Sequence, residues 1–327
     1  MSFNRTYCNC NNISGPFYII GDCHGCGREL AQLLGVLGFE LDGEGFIWAP
    51  AHSEKAQAKL VWVGDLCDRG PQVAQVLEPL IAAWRCGPPL FPLWEGLDPK
   101  SLGQALELYR PGAPRFGLDS ERLQPPSLRK FRPLPKRAGW KPVPLLAVLG
   151  NHEFRLLRVM EGRNVRLETH GLPETLRSLR AAWEGPYTTL GGKVLERYPF
   201  SYLELAGMLA SLPHYLSLDG GKLLVSHAGL AQHLQGTIGE KARHFCLFGD
   251  TTGKFDERGF PERRPWEEEY RGPAIVVYGH TPNSQVKVCN GAFNVDTGCV
   301  FGGQLSALHY PSMGVASIAA GTAAIEA

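Results

Sequence analysis

The sequence predicts an α/β fold in which two mixed β-sheets pack face to face with helices flanking them, and three patterns carry that prediction. Six short apolar runs each stop at a small polar cluster, leucines recur at helical spacing after the first cluster, and an Asp-Gly-Gly turn separates two apolar runs. Runs of four or five apolar residues halted by glycine read as buried strands, and ligands of α/β sheets gather at strand C-terminal ends. At 327 residues and 44% hydrophobic, the chain is long enough to bury a sizeable core.

The elements follow in chain order. Phe17-Tyr18-Ile19-Ile20 leads into Gly21-Asp22-Cys23-His24-Gly25, and Leu30, Leu33, Leu34 and Leu37 then predict a helix with one face on a sheet. Leu60-Val61-Trp62-Val63 leads into Gly64-Asp65-Leu66-Cys67-Asp68-Arg69-Gly70. Leu145 to Leu149 precedes Gly150-Asn151-His152-Glu153, with a helix expected over 153–160, and Leu172, Leu176 and Leu179 predict another. The runs Leu212 to Leu216 and Lys222 to Val225 flank Asp219-Gly220-Gly221, a hairpin signal for antiparallel strands. Leu223-Leu224-Val225 meets Ser226-His227-Ala228-Gly229, and Ile275-Val276-Val277-Tyr278 meets Gly279-His280-Thr281. Ala292-Phe293 leads into Asn294-Val295-Asp296-Thr297-Gly298.

The polar clusters describe one metal site assembled from the whole chain. Asp22, Asp65, Asn151, His24, His227 and His280 form an oxygen and nitrogen set without thiolate, which suits Mn, Fe or Zn in a catalytic site better than structural zinc. An aspartate that bridges lets this set serve two ions, and Asp65 is the natural bridge. Two ions roughly 3.5–4 Å apart lower the pKa of a water between them and neutralise charge on a phosphoryl group. Arg69, on the same turn as Asp65, offers a bidentate fork to phosphate oxygens. His152 is the expected proton donor to the leaving oxygen, with Asp68 holding its imidazole.

At these residues the chain resembles the calcineurin-like metallophosphoesterases of the phosphoprotein-phosphatase type, whose signature runs GDxHG, GDxxDRG, GNHE and then two isolated histidines. The five elements occur here in order, at Asp22/His24, Asp65/Asp68/Arg69, Asn151/His152/Glu153, His227 and His280. The resemblance implies that Asp22, His24 and Asp65 bind one ion while Asp65, Asn151, His227 and His280 bind the other. Mn2+ is the ion expected, with Fe, Zn, Ni or Co as alternatives. Leu247 to Gly253, Tyr270-Arg271-Gly272, Val277 to Pro282 and Asp296 to Gly303, with Gly162 to Val165 and His170 to Thr175, are similar to a bacterial subgroup. It contains stand-alone bis(5'-nucleosyl)-tetraphosphatases and the phosphatase domain of polynucleotide kinase-phosphatase. The likeness covers residues 17–86 and 145–316.

By that resemblance Asp296 supports the site from behind the ligands by orienting a histidine. Arg243 and the loop holding Asp250 fall on the substrate side. The implied chemistry is in-line attack by a metal-bridging hydroxide without a covalent enzyme intermediate. The implied substrates are nucleotides such as bis(5'-nucleosyl)-tetraphosphates. RNA or DNA ends bearing 3'-phosphate or 2',3'-cyclic phosphate come next, then phosphoproteins. A non-catalytic binding module would need a lost ligand or acid, and none is lost. No GxxxxGK[ST] loop occurs, so no kinase half is expected.

One metallophosphoesterase domain spanning 1–327 is the simplest organisation, with a 1–16 tail and a Pro/Gly-rich, basic insertion over 87–143. Leu102 to Leu108 can make a short helix inside the insertion, but proline density forbids a long one. Residues 127–142 carry Arg129, Lys130, Arg132, Lys136, Arg137 and Lys141 around Phe131 and Trp140. They read as a solvated loop, or alternatively as a nucleic acid contact in which aromatics stack on bases. A net charge of +1 gives no global bias toward nucleic acid or membrane, and no apolar stretch resembles a signal peptide or membrane span. Nine cysteines fit free thiols, so a cytoplasmic protein is expected.

Overall fold

The computed structural model describes residues 7–94, 131–196, 198–257 and 261–321. The helix expected over 102–108, with Arg129 and Lys130, lies outside the described residues. The strands of the two main sheets are, in chain order, β1 (Tyr7–Cys10), β2 (Phe17–Ile20), β3 (Lys59–Trp62), β4 (Leu145–Ala147), β5 (Tyr215–Leu218), β6 (Leu223–Ser226), β7 (Ile275–Tyr278), β8 (Lys287–Cys289), β9 (Ala292–Asn294), β10 (Gln304–Tyr310) and β11 (Gly314–Ala319). One sheet runs β1-β5-β6-β7-β9-β8 and the other β11-β10-β2-β3-β4. Both mix parallel and antiparallel pairs, as the sequence predicts.

Side-chain alternation explains why they pack together. Leu216, Leu218, Leu223, Val225 and Val277 face one way and join Phe17, Ile19, Leu60 and Trp62 in a shared core. Tyr215, Leu224, Val276 and Ala292 face the other way, onto Phe245, Trp266 and Tyr270. A strand buried on both faces reads as a continuous apolar run, which is the form these segments take.

Helices α1 (Gly27–Val36), α2 (Val73–Cys86), α3 (Asn151–Met160), α4 (Leu172–Glu184), α5 (Tyr202–Ser211) and α6 (Glu240–Phe248) flank the sheets. Leu30, Leu33 and Leu34 of α1 are fully buried, as their spacing requires. Helix α3 begins two residues earlier than the expected 153–160, with Asn151 and His152 in its first turn. Gly150 is the N-cap, and Glu153 reaches back to the Gly150 N–H. Asp219–Gly221 turns β5 into antiparallel β6. The end of the insertion forms a strand, Trp140–Pro142, paired with Ile47–Pro50. No helix among the described residues is long and apolar enough to cross a membrane.

Each main sheet contributes three parallel neighbours whose C-terminal ends face the same region. In one, Ile20 stands beside Trp62 and Trp62 beside Ala147, so the turns at 21–25, 63–70 and 148–152 open side by side. In the other, Val225 pairs with Val277 and Tyr278 with Asn294, which aligns the turns at His227, His280 and Asp296. The two sets meet where His280 N donates to Asp22 Oδ2 at 2.9 Å. Gly279 is required there, because a Cβ would overlap Asp22 Oδ1.

Glu78 of α2 is fully buried, accepting from Tyr187 Oη and from Leu190 N at 2.8 Å each, while its Oε1 has no partner. Burial pushes its carboxyl up to about 7, against the pull of those two donors. A carboxyl raised in the folded state favours folding below its unfolded pKa, and that contribution fades as pH rises toward the folded value. We therefore expect wild-type stability to fall between about pH 4.5 and 7 relative to Glu78→Gln, by on the order of 2 kcal/mol. Urea midpoints of both proteins across that window measure the difference.

Candidate active site

The six donor residues and the three residues expected to act on substrate come together where the strand ends meet. Asp65 stands at the centre. Its Oδ2 lies 3.4 Å from His24 Nε2, and its Oδ1 lies 3.2 Å from His227 Nε2. The two oxygens of one carboxylate thus face two groups of donors, the arrangement a bridging ligand needs. On the second side His227 Nε2 is also 2.8 Å from Asn151 Oδ1 and 3.0 Å from His280 Nδ1. On the first, one ligand atom each of His24, Asp65 and His152 lies within 4.8 Å of the others, and Asp22 stands near enough to Asp65 to feel its charge.

Histidine orientation comes from the backbone. His24 Nδ1 donates to Cys67 O at 2.7 Å and His227 Nδ1 to Val63 O at 3.0 Å, which leaves both Nε2 lone pairs facing inward. Among the described residues Asp296 makes no hydrogen bond to a histidine, where orientation of a histidine was the expectation. Its Oδ1 accepts from Gly298 N at 3.0 Å, and it acts on Asp22 and Asp65 through its charge. At His24 and His227 a carbonyl fills the Nδ1 side, and His280 faces His227 and Arg263 instead.

The electrostatics call for cations. Burial, then the neighbouring Asp296 and Asp65, push Asp22 well above the usual carboxylate range, and burial pushes Asp65 up to about 8 and Asp296 up to about 6. Burial also holds His227 down to about 4, so its ring is neutral and able to ligate. Asp22 Oδ1 is buried without a hydrogen-bond partner. Guanidinium groups, which only donate, already lie on two of the imidazoles: Arg69 on His24 Nε2, and Arg263 Nη2 at 2.6 Å from His280 Nε2. An orphaned carboxylate oxygen, inward lone pairs and two attendant cations fit the two-ion donor set.

Beside the donors, His152 Nδ1 donates to Asp68 Oδ2 at 2.6 Å, and its Nε2 faces Asp65 Oδ2 at 3.8 Å. Asp68 is held in turn by Thr175 of α4, whose hydroxyl donates to Asp68 Oδ1 at 2.5 Å and accepts from Asp68 N at 2.8 Å. Burial, then the charge of Arg69, keep His152 well below the ordinary imidazole range. A histidine held low is a strong acid once protonated. Arg69 packs over the Phe301 ring, 5.1 Å from its centroid.

Strain marks these turns. His24, Asp65, Asp68, Arg69 and His280 all take left-handed backbone, with φ between 40° and 73°. Each costs of order 1 kcal/mol or more and persists only where surrounding contacts impose it.

At Asp65 that imposition comes from Glu153, a role its place in the GNHE cluster did not disclose. Its carboxylate accepts from Asp65 N and Leu66 N at 2.8 Å, Cys67 N at 2.9 Å and Gly150 N at 3.1 Å. Burial and the Asp65 charge push it up to about 7. All four partners donate, so only the ionised carboxylate satisfies them. Glu at N3 of a helix following a glycine was the available sequence signal. Thr175 and Arg263 had no comparable one.

Arg243 and Asp250, expected on the substrate side, stand further out. Arg243 approaches Glu240 of its own helix at 4.0 Å, and Asp250 pairs with Arg264 at 3.1 Å. Asp250 lines a cavity of about 360 Å³ with Lys241, His244 and Thr251. Thr251 of this cavity pairs in register with Arg263, whose Nη2 lies on His280 and whose Nε donates to Phe248 O.

Two packed mixed sheets, with His and Asp side chains gathered at their strand ends to suit a dinuclear metal site, are the architecture of a calcineurin-like phosphatase. No family model matches the chain. It is 33% identical over 300 residues to the bis(5'-nucleosyl)-tetraphosphatase PrpE [asymmetrical] of Anoxybacillus flavithermus, covering 92% of each chain. It is 31% identical over 301 residues to the protein of the same name from Oceanobacillus iheyensis, covering 92% of this chain and 91% of that one. A solved structure provisionally described as a diadenosine tetraphosphatase shares the fold, with a TM-score of 0.53 and 20% identity over 97% of this chain and 99% of that one. The chain belongs to the PrpE family of bis(5'-nucleosyl)-tetraphosphatases and is a metal-dependent phosphoesterase.

Removing Glu153 strands four buried donors at once. We expect Glu153→Ala to cost about 3 kcal/mol or more, read as a lowered urea midpoint together with weaker Mn2+ binding. An unchanged midpoint would show that the Asp65 turn holds its shape without the carboxylate.

Proposed function

We propose that this chain hydrolyses dinucleoside tetraphosphates asymmetrically, releasing a nucleoside monophosphate and a nucleoside triphosphate, the unequal split of a four-phosphate bridge. The observation that carries the reading is Asp65, whose two oxygens face His24 and His227 separately, in a chain a third identical to relatives named for this activity.

Asp22, His24 and Asp65 would hold one ion, and Asp65, Asn151, His227 and His280 the other. Bound there, divalent ions, Mn2+ by preference over Fe, Zn, Ni or Co, provide an acidified water nucleophile and neutralise charge on the phosphoryl group. Arg69 forks two phosphate oxygens and aligns the reacting phosphorus. His152 acts as the imidazolium: having taken a proton from water at Nε2, it hands that proton to the leaving phosphate oxygen, which carries off the bond electrons, while its Nδ1 proton stays in the hydrogen bond to Asp68. Asp68, anchored by Thr175, keeps the ring in the tautomer that directs Nε2 inward. Asp296 adds negative charge behind Asp22, and Arg243 and Asp250 border the path of the outgoing nucleotide.

We read the chain as one domain with an insertion over 87–143, acting in the cytoplasm. Cys23, Cys26, Cys67, Cys86, Cys246, Cys289 and Cys299 are free thiols, as suits a reducing compartment.

Product analysis of Mn2+-loaded protein on a pooled panel tests the substrate. Rapid loss of Ap4A to AMP and ATP is expected. Preferential attack on a 3'-phosphorylated oligonucleotide, a 2',3'-cyclic nucleotide or a phosphopeptide would replace the reading with end processing or protein dephosphorylation. For the acid, His152→Ala should lower kcat on Ap4A about 10²- to 10⁴-fold. Full turnover by that variant on a substrate with a poor leaving group would remove His152 from its role.

A further inference from the structure

A second group of metal-ligating side chains stands apart from the donors of the active site. Cys26, Glu29 and Cys299 each present one ligand atom, and the two sulfurs and the carboxylate oxygen all lie within 4.8 Å of one another. Two separate segments deliver them. Cys26 is the residue that precedes α1, Glu29 lies in the first turn of that helix, and Cys299 opens the short turn Cys299–Phe301. Both cysteines are buried and Glu29 is half-buried, so the carboxylate forms the solvent side of the group. Glu29 Oε1 is steadied by Gly321 N, which donates at 3.0 Å.

The chemistry of this group differs from that of the active site. The active site offers oxygen and nitrogen donors alone, whereas here two sulfurs join one carboxylate. Thiolates select zinc-like soft ions, and imidazole with carboxylate suits Mn and its neighbours. A hydrogen bond between the two thiols accounts for the approach of the sulfurs. It does not account for the carboxylate beside them.

We propose that Cys26, Glu29 and Cys299 form a separate thiolate site that takes one soft divalent cation of the Zn2+ or Cd2+ class, with a fourth position left to solvent. Binding releases the two thiol protons to water and forms two metal–sulfur bonds and one metal–oxygen bond. Cys26 follows His24 by two residues and Cys299 follows Asp296 by three. A cation held between them ties the turn that carries His24 to the loop that carries Asp296, giving thiophilic ions a hold on the active site from outside its own ligands.

Cadmium titration of the full chain, in excess Mn2+ to fill the oxygen and nitrogen donors, tests this. One equivalent of Cd2+ should bind with a thiolate-to-cadmium charge-transfer band. Cys26→Ser or Cys299→Ser should each lose roughly half of that band, and the double variant all of it. Glu29→Gln should weaken Cd2+ binding about tenfold or more. Cys8→Ser should leave the band intact, although Cys8 Sγ lies 2.9 Å from Cys10 Sγ and offers a rival soft pair. A wild-type protein without the band at one equivalent overturns the proposal without recourse to any variant. So does a band that survives the double substitution or disappears in Cys8→Ser.

Discussion

The Glu153 carboxylate is the interaction on which the rest of the site depends. It is one side chain gripping four backbone N–H groups, three from the turn after β3 and one from the start of α3. That grip fixes the left-handed Asp65 and sets Asn151 and His152 in the first turn of the helix. Had the turn after β3 relaxed, Asp65 could not point one oxygen to His24 and the other to His227. The strain spread over His24, Asp65, Asp68, Arg69 and His280 is therefore borne by hydrogen bonds made elsewhere, with Thr175 doing for Asp68 what Glu153 does for Asp65.

Charge follows from that geometry. Packing Asp22, Asp65 and Asp296 into a buried space raises the cost of ionising each, and neutral histidines offset none of it. Cations relieve it, which is why arginine side chains stand at both histidine ends and why the donor set suits two divalent ions. The fold thus stores an electrostatic demand that ligand binding satisfies. His152 sits at the edge of this field, tied by Nδ1 to Asp68 and open at Nε2.

The insertion behaves differently from its composition. Arg137 is taken up by Glu40 at 2.6 Å and by the Trp140 ring at 4.3 Å, and Trp140 to Pro142 pair as a strand. Part of the basic stripe is thereby spent on holding the chain against the 40–50 segment rather than offered to phosphates. Exposed Phe131, Arg132, Lys136 and Lys141 keep their places on the surface.

By itself the sequence determined what is local. Apolar runs stopped by glycine became strands, the leucines after Gly25 became the buried face of α1, and Asp219-Gly220-Gly221 became a turn, because each depends on periodicity and backbone freedom within a few residues. The ordered polar clusters carried the donor residues as well, since strand ends must face one edge of a sheet. Tertiary structure alone decided the rest. Glu153 meets Asp65 across 88 positions, Thr175 meets Asp68 across 107, and backbone carbonyls took the Nδ1 positions of His24 and His227. Cys26 and Cys299 became neighbours although almost the whole chain separates them. Such pairings have no period and no spacing to read. They exist only after two sheets have packed and brought their strand ends together.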